Sequence, residues 1–264
     1  SKSYTGNRSA INDFTTGEPI PGTESTSPNS MAMHWISNST MLTTLTAKYD
    51  MNFGKHAINL LAGTSYEHYN YERLYSKRTD FVSDGLEDIE QGNEVSKETP
   101  GGSSIMESKM LSYFGRVNYS WNDRYLLEVN VRADGSSRFY KDNRWGIFPS
   151  VSAGWRISEE SFMKPVTWIN NLKLRASYGT LGNINNVGYY DYFRLMSSGS
   201  NYNFSDTAVK GVVEAQIPNT SLGWETVALT DIGLDLDVLD NKLSISADYY
   251  IKNTSDILLG YNVP

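Results

Sequence analysis

The sequence predicts an all-β fold of about eight antiparallel strands in up-and-down order, and it favours a transmembrane β-barrel. Three observations predict it: apolar and polar residues alternate along the chain, the alternating segments are long, and the connections between them alternate in length. The predicted strands cover residues about 41–51, 56–68, 110–121, 124–134, 146–157, 171–180, 224–238 and 242–253.

Residues 1–30 are rich in Ser, Thr, Gly, Pro and Asn, which is typical of loops. The first two predicted strands, 41–51 and 56–68, alternate only weakly. The next two form the clearest hairpin, with Val117 and Val129 on an apolar face and a tight polar turn at residues 122–124. Because successive side chains of a strand point to opposite faces, this period marks strands with one apolar and one polar face.

The remaining four strands follow the same rule. Val151, Leu174, Leu234 and Ile245 mark their apolar faces, and polar residues stand between the apolar ones. Strands of globular proteins average five or six residues. Most of these segments run to roughly ten to thirteen, which spans a bilayer core at a tilt of about 45°. The lengths therefore favour strands that cross a membrane.

The connections between the strands fall into two classes. Short turns are expected near 52–55, 122–124 and 240–241, and a moderate link covers 158–171 with one helical turn near 159–163. Long external loops are predicted at about 76–108, 135–145 and 181–223. With strict up-and-down order, every short connection lies at one end and every long one at the other. Outer-membrane barrels have this asymmetry.

Composition excludes several other classes of protein. The chain has 264 residues and a net charge of −7, which argues against a nucleic-acid partner. It contains no Cys, which removes disulfides, thiolate metal sites and cysteine nucleophiles. No apolar run reaches the roughly 18 residues of a membrane helix. Aromatic residues make up 12% of the chain, and many stand near predicted strand ends, where interfacial girdles form.

The alternation of apolar and polar residues does not decide whether the apolar face contacts lipid or is buried in a core. A membrane barrel turns that face to lipid and the polar face to a wet lumen. A soluble β-sandwich buries the apolar face, and the alternative function is therefore a soluble β-sandwich glycan-binding module. A β-rich hydrolase that uses paired acidic residues is a third possibility, but the chain carries no recognisable site for it. We therefore expect no enzymatic activity.

Several segments resemble, in order and spacing, the barrel of the SusC/RagA-type TonB-dependent outer-membrane transporters. The matching segments are 113–119 (YFGRVNY), 125–139 (YLLEVNVRADGSSRF), 145–156 (WGIFPSVSAGWR), 172–183 (LKLRASYGTLGN), 224–226 (WET), 231–235 (DIGLD) and 248–250 (DYY). Residues before 110 agree with the family in general character only.

The resemblance implies a transporter barrel of about 22 strands closed by an N-terminal plug domain. Such transporters import oligosaccharides or peptides with energy from TonB, and a SusD-like surface lipoprotein forms a lid over them. The family is found in the outer membrane of Bacteroidota-type bacteria. We therefore expect residues 1–264 to form part of a longer barrel, without the plug domain and its TonB contact, surrounded by outer-membrane lipid.

Two groups of residues are candidates for substrate contact. Tyr189, Tyr190, Asp191, Tyr192 and Phe193 combine aromatic faces with a carboxylate in a predicted external loop, where they either bind substrate or pack the loop onto the rim or the lipoprotein. The second group comprises the charged residues expected on the lumen face, which contact the plug or the substrate path or pair across strands. These are Arg116, Glu128, Arg132, Arg175 and Asp235.

We expect no cofactor and no metal site of His or Cys ligands. His34, His56 and His68 have no spacing typical of metal ligands. An acidic loop is a candidate Ca²⁺ site, because carboxylate oxygens bind calcium, although its spacing differs from that of an EF-hand. The residues of that loop are Asp80, Asp84, Glu87, Asp88, Glu90, Glu94 and Glu98.

Overall fold

The computed structural model of the chain describes residues 2–5, 8–9, 25–26, 30–79, 81, 88–92, 102–198, 202–204, 207–209 and 211–258. Nine of its strands form one sheet in the order β1-β4-β5-β6-β7-β8-β9-β14-β15. These are β1 Lys2–Thr5, β4 Ser30–Phe53, β5 His56–Thr79, β6 Gly102–Trp121, β7 Tyr125–Ser136, β8 Trp145–Arg156, β9 Ile169–Asn183, β14 Glu225–Val238 and β15 Leu243–Ser255.

The long strands are antiparallel neighbours in chain order, which is the meander predicted from the sequence. The pairings β6–β7, β7–β8, β8–β9, β9–β14 and β14–β15 are all antiparallel. The all-β fold class is therefore confirmed. Three small two-stranded sheets accompany the large one. They pair β2 Arg8–Ser9 with β3 Ser25–Thr26, β10 Met196–Ser198 with β13 Val212–Glu214, and β11 Tyr202–Phe204 with β12 Thr207–Val209.

Three predicted loop regions contain strands. The expected loop 76–108 is wrong at both ends, because β5 continues to Thr79 and β6 begins at Gly102. The expected loop 181–223 contains four short strands, and β9 extends into it as far as Asn183. Residues 1–30, expected as loop, contribute β1, β2 and β3. The additional short strands have two to four residues each, which is too few for alternation to identify them.

The described residues divide into two units, the first comprising residues 1–40 and 69–107 and the second 41–68 and 108–264. In the first unit β1 pairs with β4, and the rings of His34 and Tyr75 lie 4.7 Å apart. Phe81 is buried there, and the Arg78 guanidinium donates to the carbonyl oxygen of Gly92 over 3.1 Å. A short 3₁₀ helix, Ile89–Gln91, precedes this glycine.

The second unit contains the short turns and the better alternating strands. Asn122 and Asp123 adopt positive φ angles of 53° and 55°, which Asn and Asp tolerate better than most residues. The Asn122 amide donates to the Lys55 carbonyl over 2.6 Å and so joins two neighbouring turns. Between β8 and β9 the expected helical turn is present as two short 3₁₀ helices, Ile157–Glu159 and Ser161–Met163.

The apolar face of the second unit is exposed rather than packed into a core. Val129 pairs with Val117 and Val151 across the strands, yet its side chain is 42% exposed. Only six apolar residues are buried in the described ranges, and none comes from the middle of this face: Met31, Phe81, Phe139, Phe148, Val187 and Val238. The described residues therefore include no second sheet that covers the apolar face, as a β-sandwich requires.

Candidate functional site

The polar face of the sheet gathers all five residues that the sequence predicted to face a lumen. The register sets Arg116 opposite Asn130 on β6 and β7, and Glu128 opposite Ser152 on β7 and β8. The same face continues to Arg175 on β9 and to Asp235 on β14, and it also carries Arg132. Period-two alternation places these five residues on one side because each neighbouring strand stays in register.

Arg175 is the centre of an ionic cluster that spans three strands. Its Nε lies 2.7 Å from Asp235 Oδ2, and its Nη2 lies 3.0 Å from Asp235 Oδ1 and 2.8 Å from Asp248 Oδ1. Ser246 Oγ also donates to Asp235 Oδ1 over 2.8 Å. Gly233 stands beneath this cluster, where a Cβ atom would meet the Arg175 guanidinium at 2.8 Å. The glycine therefore allows these side chains to lie flat across the strands.

The charges on β6 and β7 also have partners of their own. Arg132 Nε lies 2.7 and 2.9 Å from the two carboxylate oxygens of Asp134, and its Nη2 donates to Ser112 Oγ over 2.9 Å. Arg116 Nε donates to Asn130 Oδ1 over 2.7 Å, and Asn130 in turn donates to Glu128 Oε1 over 2.8 Å. These contacts satisfy much of the polar face within the wall itself.

Two open grooves run along the polar face. The larger, of about 860 Å³, is lined by residues that include Arg116, Glu128, Arg132, Phe148, Ser150 and Gly182. The second, of about 570 Å³, includes Glu128, Lys173, Arg175 and Asp231 in its lining. Both linings therefore combine charged and hydroxyl groups with apolar side chains, such as Phe114 in the larger groove.

At the long-loop end, a small core forms beneath the loops. Phe139 is fully buried and packs 5.3 Å from the ring of Trp224, and Phe148 packs edge-on against the same indole, also at 5.3 Å. The Trp224 indole donates to the Arg144 carbonyl over 2.9 Å, and the Asn143 side chain donates to the carbonyl of Thr220. Sequence alternation could not reveal this core, because it joins segments about 80 residues apart.

The predicted group 189–193 lies in a turn that packs against this end of the sheet. The rings of Tyr192 and Phe193 lie 4.3 Å apart, and those of Tyr190 and Phe193 lie 6.0 Å apart. The Asp191 carboxylate accepts the backbone N–H of Gly188, so it stabilises the turn itself. The guanidinium of Arg138 lies 4.2 Å from the centre of the Tyr189 ring.

Two contacts fix this turn to its surroundings. The Gln216 side-chain amide donates to the carbonyls of Tyr190 and Phe193 over 2.9 and 3.0 Å. The backbone N–H of Asn219 donates to the backbone carbonyl of Asp191 over 3.1 Å. Within the group, Phe193 is the most open, with 46% of its surface exposed. These contacts are of the kind expected if the group packs the loop in place, and Phe193 is its most exposed member.

Aromatic residues form a row at the opposite, short-turn end. The rings of Trp121 and Tyr125 lie 5.3 Å apart, and those of Tyr125 and Trp155 lie 6.3 Å apart and nearly parallel. The Tyr125 hydroxyl and the Trp155 indole both donate to Glu160 Oε1, over 2.7 and 3.2 Å. These bonds, together with the Arg124 guanidinium at 3.2 Å, hold the pKa of the Glu160 carboxyl below its usual range.

The acidic loop proposed for Ca²⁺ falls largely outside the described residues. Asp80, Asp84, Glu87, Glu94 and Glu98 lie outside them. Asp88 and Glu90 are described, and the Asp88 carboxylate accepts the Glu90 backbone N–H over 3.1 Å, where it caps a 3₁₀ helix. Across the described ranges, no three His, Asp or Glu side chains are grouped to hold a metal ion. No helix in those ranges is long and apolar enough to cross a membrane.

A family model described as "TonB dependent receptor-like, beta-barrel" matches residues 1–264, the whole chain. The chain belongs to this family. The resemblance to SusC/RagA-type transporters is therefore confirmed, and the antiparallel sheet is part of a TonB-dependent receptor barrel. The family is one of transporters and receptors rather than enzymes, and its barrels are outer-membrane structures.

Curated relatives agree with this family. TonB-dependent receptor P39 of Formosa agariphila is 37% identical over 217 residues, which are 82% of this chain and 20% of the relative. TonB-dependent receptor SusC of Bacteroides thetaiotaomicron is 39% identical over 158 residues, which are 59% of this chain and 16% of SusC. The chain thus spans about a fifth of the length of the curated relatives it matches.

Solved structures of the same family have the same fold. The RagAB peptide transporter superposes with a TM-score of 0.82 at 28% identity, over 92% of this chain and 26% of that one. The RagAB peptide importer in its "closed-closed" state gives the same TM-score over 93% of this chain. Transmembrane β-barrels carry an outward-facing apolar band, and the exposed apolar face of this sheet has the same character.

Proposed function

We propose that this chain forms part of the wall of a TonB-dependent transporter in the bacterial outer membrane, and that the transporter imports oligosaccharides or peptides. The apolar face of the sheet contacts the lipid, and the polar face lines the lumen. Arg116, Glu128, Arg132, Arg175 and Asp235 are lumen-facing in this arrangement. The short turns then lie on the periplasmic side and the longer loops outside the cell.

The exposed apolar face carries this proposal. Val131 is 48% exposed, Ile147 68%, Ile232 53% and Tyr249 69%, all on one face of an unbroken sheet. An apolar surface of this extent is unfavourable in water and requires a lipid or protein partner. The aromatic row Trp121, Tyr125 and Trp155 borders the same face, where a barrel places its interfacial girdle. No observation gives comparable support to a soluble glycan-binding module.

The polar face supports passage of a hydrophilic substrate. Its larger groove of about 860 Å³ presents hydroxyl, amide and guanidinium groups, which form hydrogen bonds with sugars and with peptide backbones alike. In this arrangement Phe193 is the member of the 189–193 group that touches substrate, while Tyr189, Tyr190, Asp191 and Tyr192 hold the loop in place. The same polar face also offers Arg116 and Glu128 for contact with a plug domain.

The family resemblance supplies the partners in this proposal. A SusD-like lipoprotein closes the outer mouth, and TonB supplies energy through the plug. One structural neighbour is a peptide importer, and one curated relative is SusC. Peptides and oligosaccharides are therefore the two substrate classes to compare.

Uptake measurements test the proposal directly. Cells that carry the intact protein should take up labelled oligosaccharides or oligopeptides, lose that uptake when the proton gradient is collapsed, and lose it again when the protein is deleted. An antibody against residues 211–223 should detect the protein in the outer-membrane fraction. A soluble protein of about the size of this chain, 29.6 kDa, with unchanged uptake in the deletion strain, would refute the proposal.

A further inference from the structure

The connection between β8 and β9, residues 157–168, differs from the other turns at the same end of the sheet. The β6–β7 turn is tight and polar, and the β14–β15 turn is tight and exposes one apolar residue, Leu239 at 56%, whereas this connection contains two short 3₁₀ helices. It also exposes two large apolar side chains, Phe162 at 63% and Trp168 at 58%. Exposing two aromatic rings of this size is unfavourable in a turn that is surrounded only by water.

Hydrogen bonds attach this connection to the edge of the apolar face. Tyr125 and Trp155 are opposite each other in register and project from that face. The Glu160 carboxylate accepts from both, over 2.7 and 3.2 Å, while its second oxygen lies 3.2 Å from Arg124 Nη1. Phe162 follows Glu160 by two residues in the same connection and is exposed.

The other end of the connection is held as well. The Leu239 amide donates to the Trp168 carbonyl over 3.1 Å, which joins this residue to the turn between β14 and β15. Lys164 lies between the two exposed aromatic residues and is itself exposed. Within the part of the chain that the structure describes, its ammonium group takes part in no ion pair.

This arrangement matches the chemistry of a membrane interface. Aromatic rings favour the level of the lipid headgroups, and lysine extends from there toward phosphate. We propose that residues 157–168 form an interfacial anchor, in which Phe162 and Trp168 insert into the phospholipid leaflet at the short-turn end and Lys164 contacts headgroup phosphate. The inference rests on the proposed function, because it takes the apolar face of the sheet as lipid-facing.

Site-directed fluorescence tests the anchor. The chain contains no cysteine, so Phe162→Cys and Trp168→Cys each accept one environment-sensitive label in this region of the intact transporter. The protein is reconstituted in phosphatidylethanolamine and phosphatidylglycerol vesicles that contain brominated lipid. We expect both labels to lose more fluorescence to bromine near the headgroup than to bromine at the acyl terminus, and to be shielded from aqueous iodide.

Two control positions separate the anchor from the barrel assignment. A label at Val129→Cys, in the middle of the apolar face, should be quenched best by deep bromine, and one at Lys242→Cys, in the next turn of the same end, by iodide. If the label at position 129 is quenched by brominated lipid while the labels at positions 162 and 168 respond only to iodide, the anchor proposal is wrong and the barrel assignment stands. If 129 also responds only to iodide, both are wrong.

Discussion

Replacing Val129 with Arg measures directly whether the apolar face meets lipid. Val129 lies four residues along β7 from Tyr125, which is about 13 Å at about 3.3 Å per residue. A strand tilt of about 45° converts this distance into about 9 Å of depth. The apolar band of a barrel is about 25 Å tall, so Val129 lies in its middle third.

A guanidinium group at this depth is costly because the hydrocarbon offers it no hydrogen-bond acceptors. Arg at the bilayer midplane costs about 2–4 kcal/mol, falling to about 0–1 at the interface. We expect about 2 kcal/mol for Val129→Arg, or roughly a 30-fold change in the ratio of folded to unfolded protein. In water the same change should cost little, because this side chain is 42% exposed and nothing in the described ranges covers it.

The assay is reversible urea unfolding of the intact protein in phospholipid vesicles, followed by tryptophan fluorescence. Ser152→Arg is the matched control, since Ser152 is in the neighbouring strand on the polar face, opposite Glu128. We expect the control to change the free energy of unfolding by less than about 0.5 kcal/mol. Equal costs for the two variants, or no cost for Val129→Arg, would show that the apolar face does not contact lipid.

Three further changes probe the polar face and the two ends of the sheet. Asp235→Asn removes the bidentate partner of Arg175 and should lower stability by about 1 kcal/mol, an effect that a double-mutant cycle with Arg175→Met attributes to the pair. Glu160→Gln should flatten the acid limb of the stability–pH curve. The Glu160 pKa is lowered on folding, so its contribution is complete above its ordinary value of 4.5 and is lost as the pH falls through the lower folded value. Phe139→Ala should cost about 3 kcal/mol and speed proteolysis near Trp224, while a variant as protease-resistant as the parent would contradict the buried packing.

The sequence predicted the strands best where the two faces differ most in polarity. In β15, predicted at 242–253 and observed at Leu243–Ser255, the apolar Ile245 and the polar Ser246 lie on opposite faces of the strand, so the period is clear. In β4 the prediction began at residue 41, whereas the strand begins at Ser30. His34, Trp35 and Ile36 stand in a row there without alternation, and only backbone pairing shows that they belong to a strand.

The sequence predicted on which face of the sheet the candidate residues lie, but not which residues they contact. Alternation alone assigned Arg175 and Asp235 to the same side of the sheet, and the structure places them there. Asp248 binds the same guanidinium, and this contact could not be predicted, because Asp248 is 73 residues away in the sequence and the register of β15 is needed to bring it close. The sequence also could not predict that the Asp191 carboxylate accepts the backbone N–H of Gly188, because turn geometry decides where that carboxylate points.

The two faces of the sheet are stabilised in different ways, and this difference follows from the exposed apolar surface. With six buried apolar residues in the described ranges, a hydrophobic core contributes little to holding the strands together. The polar face compensates with cross-strand bonds, such as those from Arg175 to Asp235 and Asp248, which do not require lipid. The apolar face gains its stability only when hydrocarbon replaces water on it. Salt should therefore weaken mainly the polar-face pairs, whereas removal of lipid should weaken mainly the contribution of residues such as Val129.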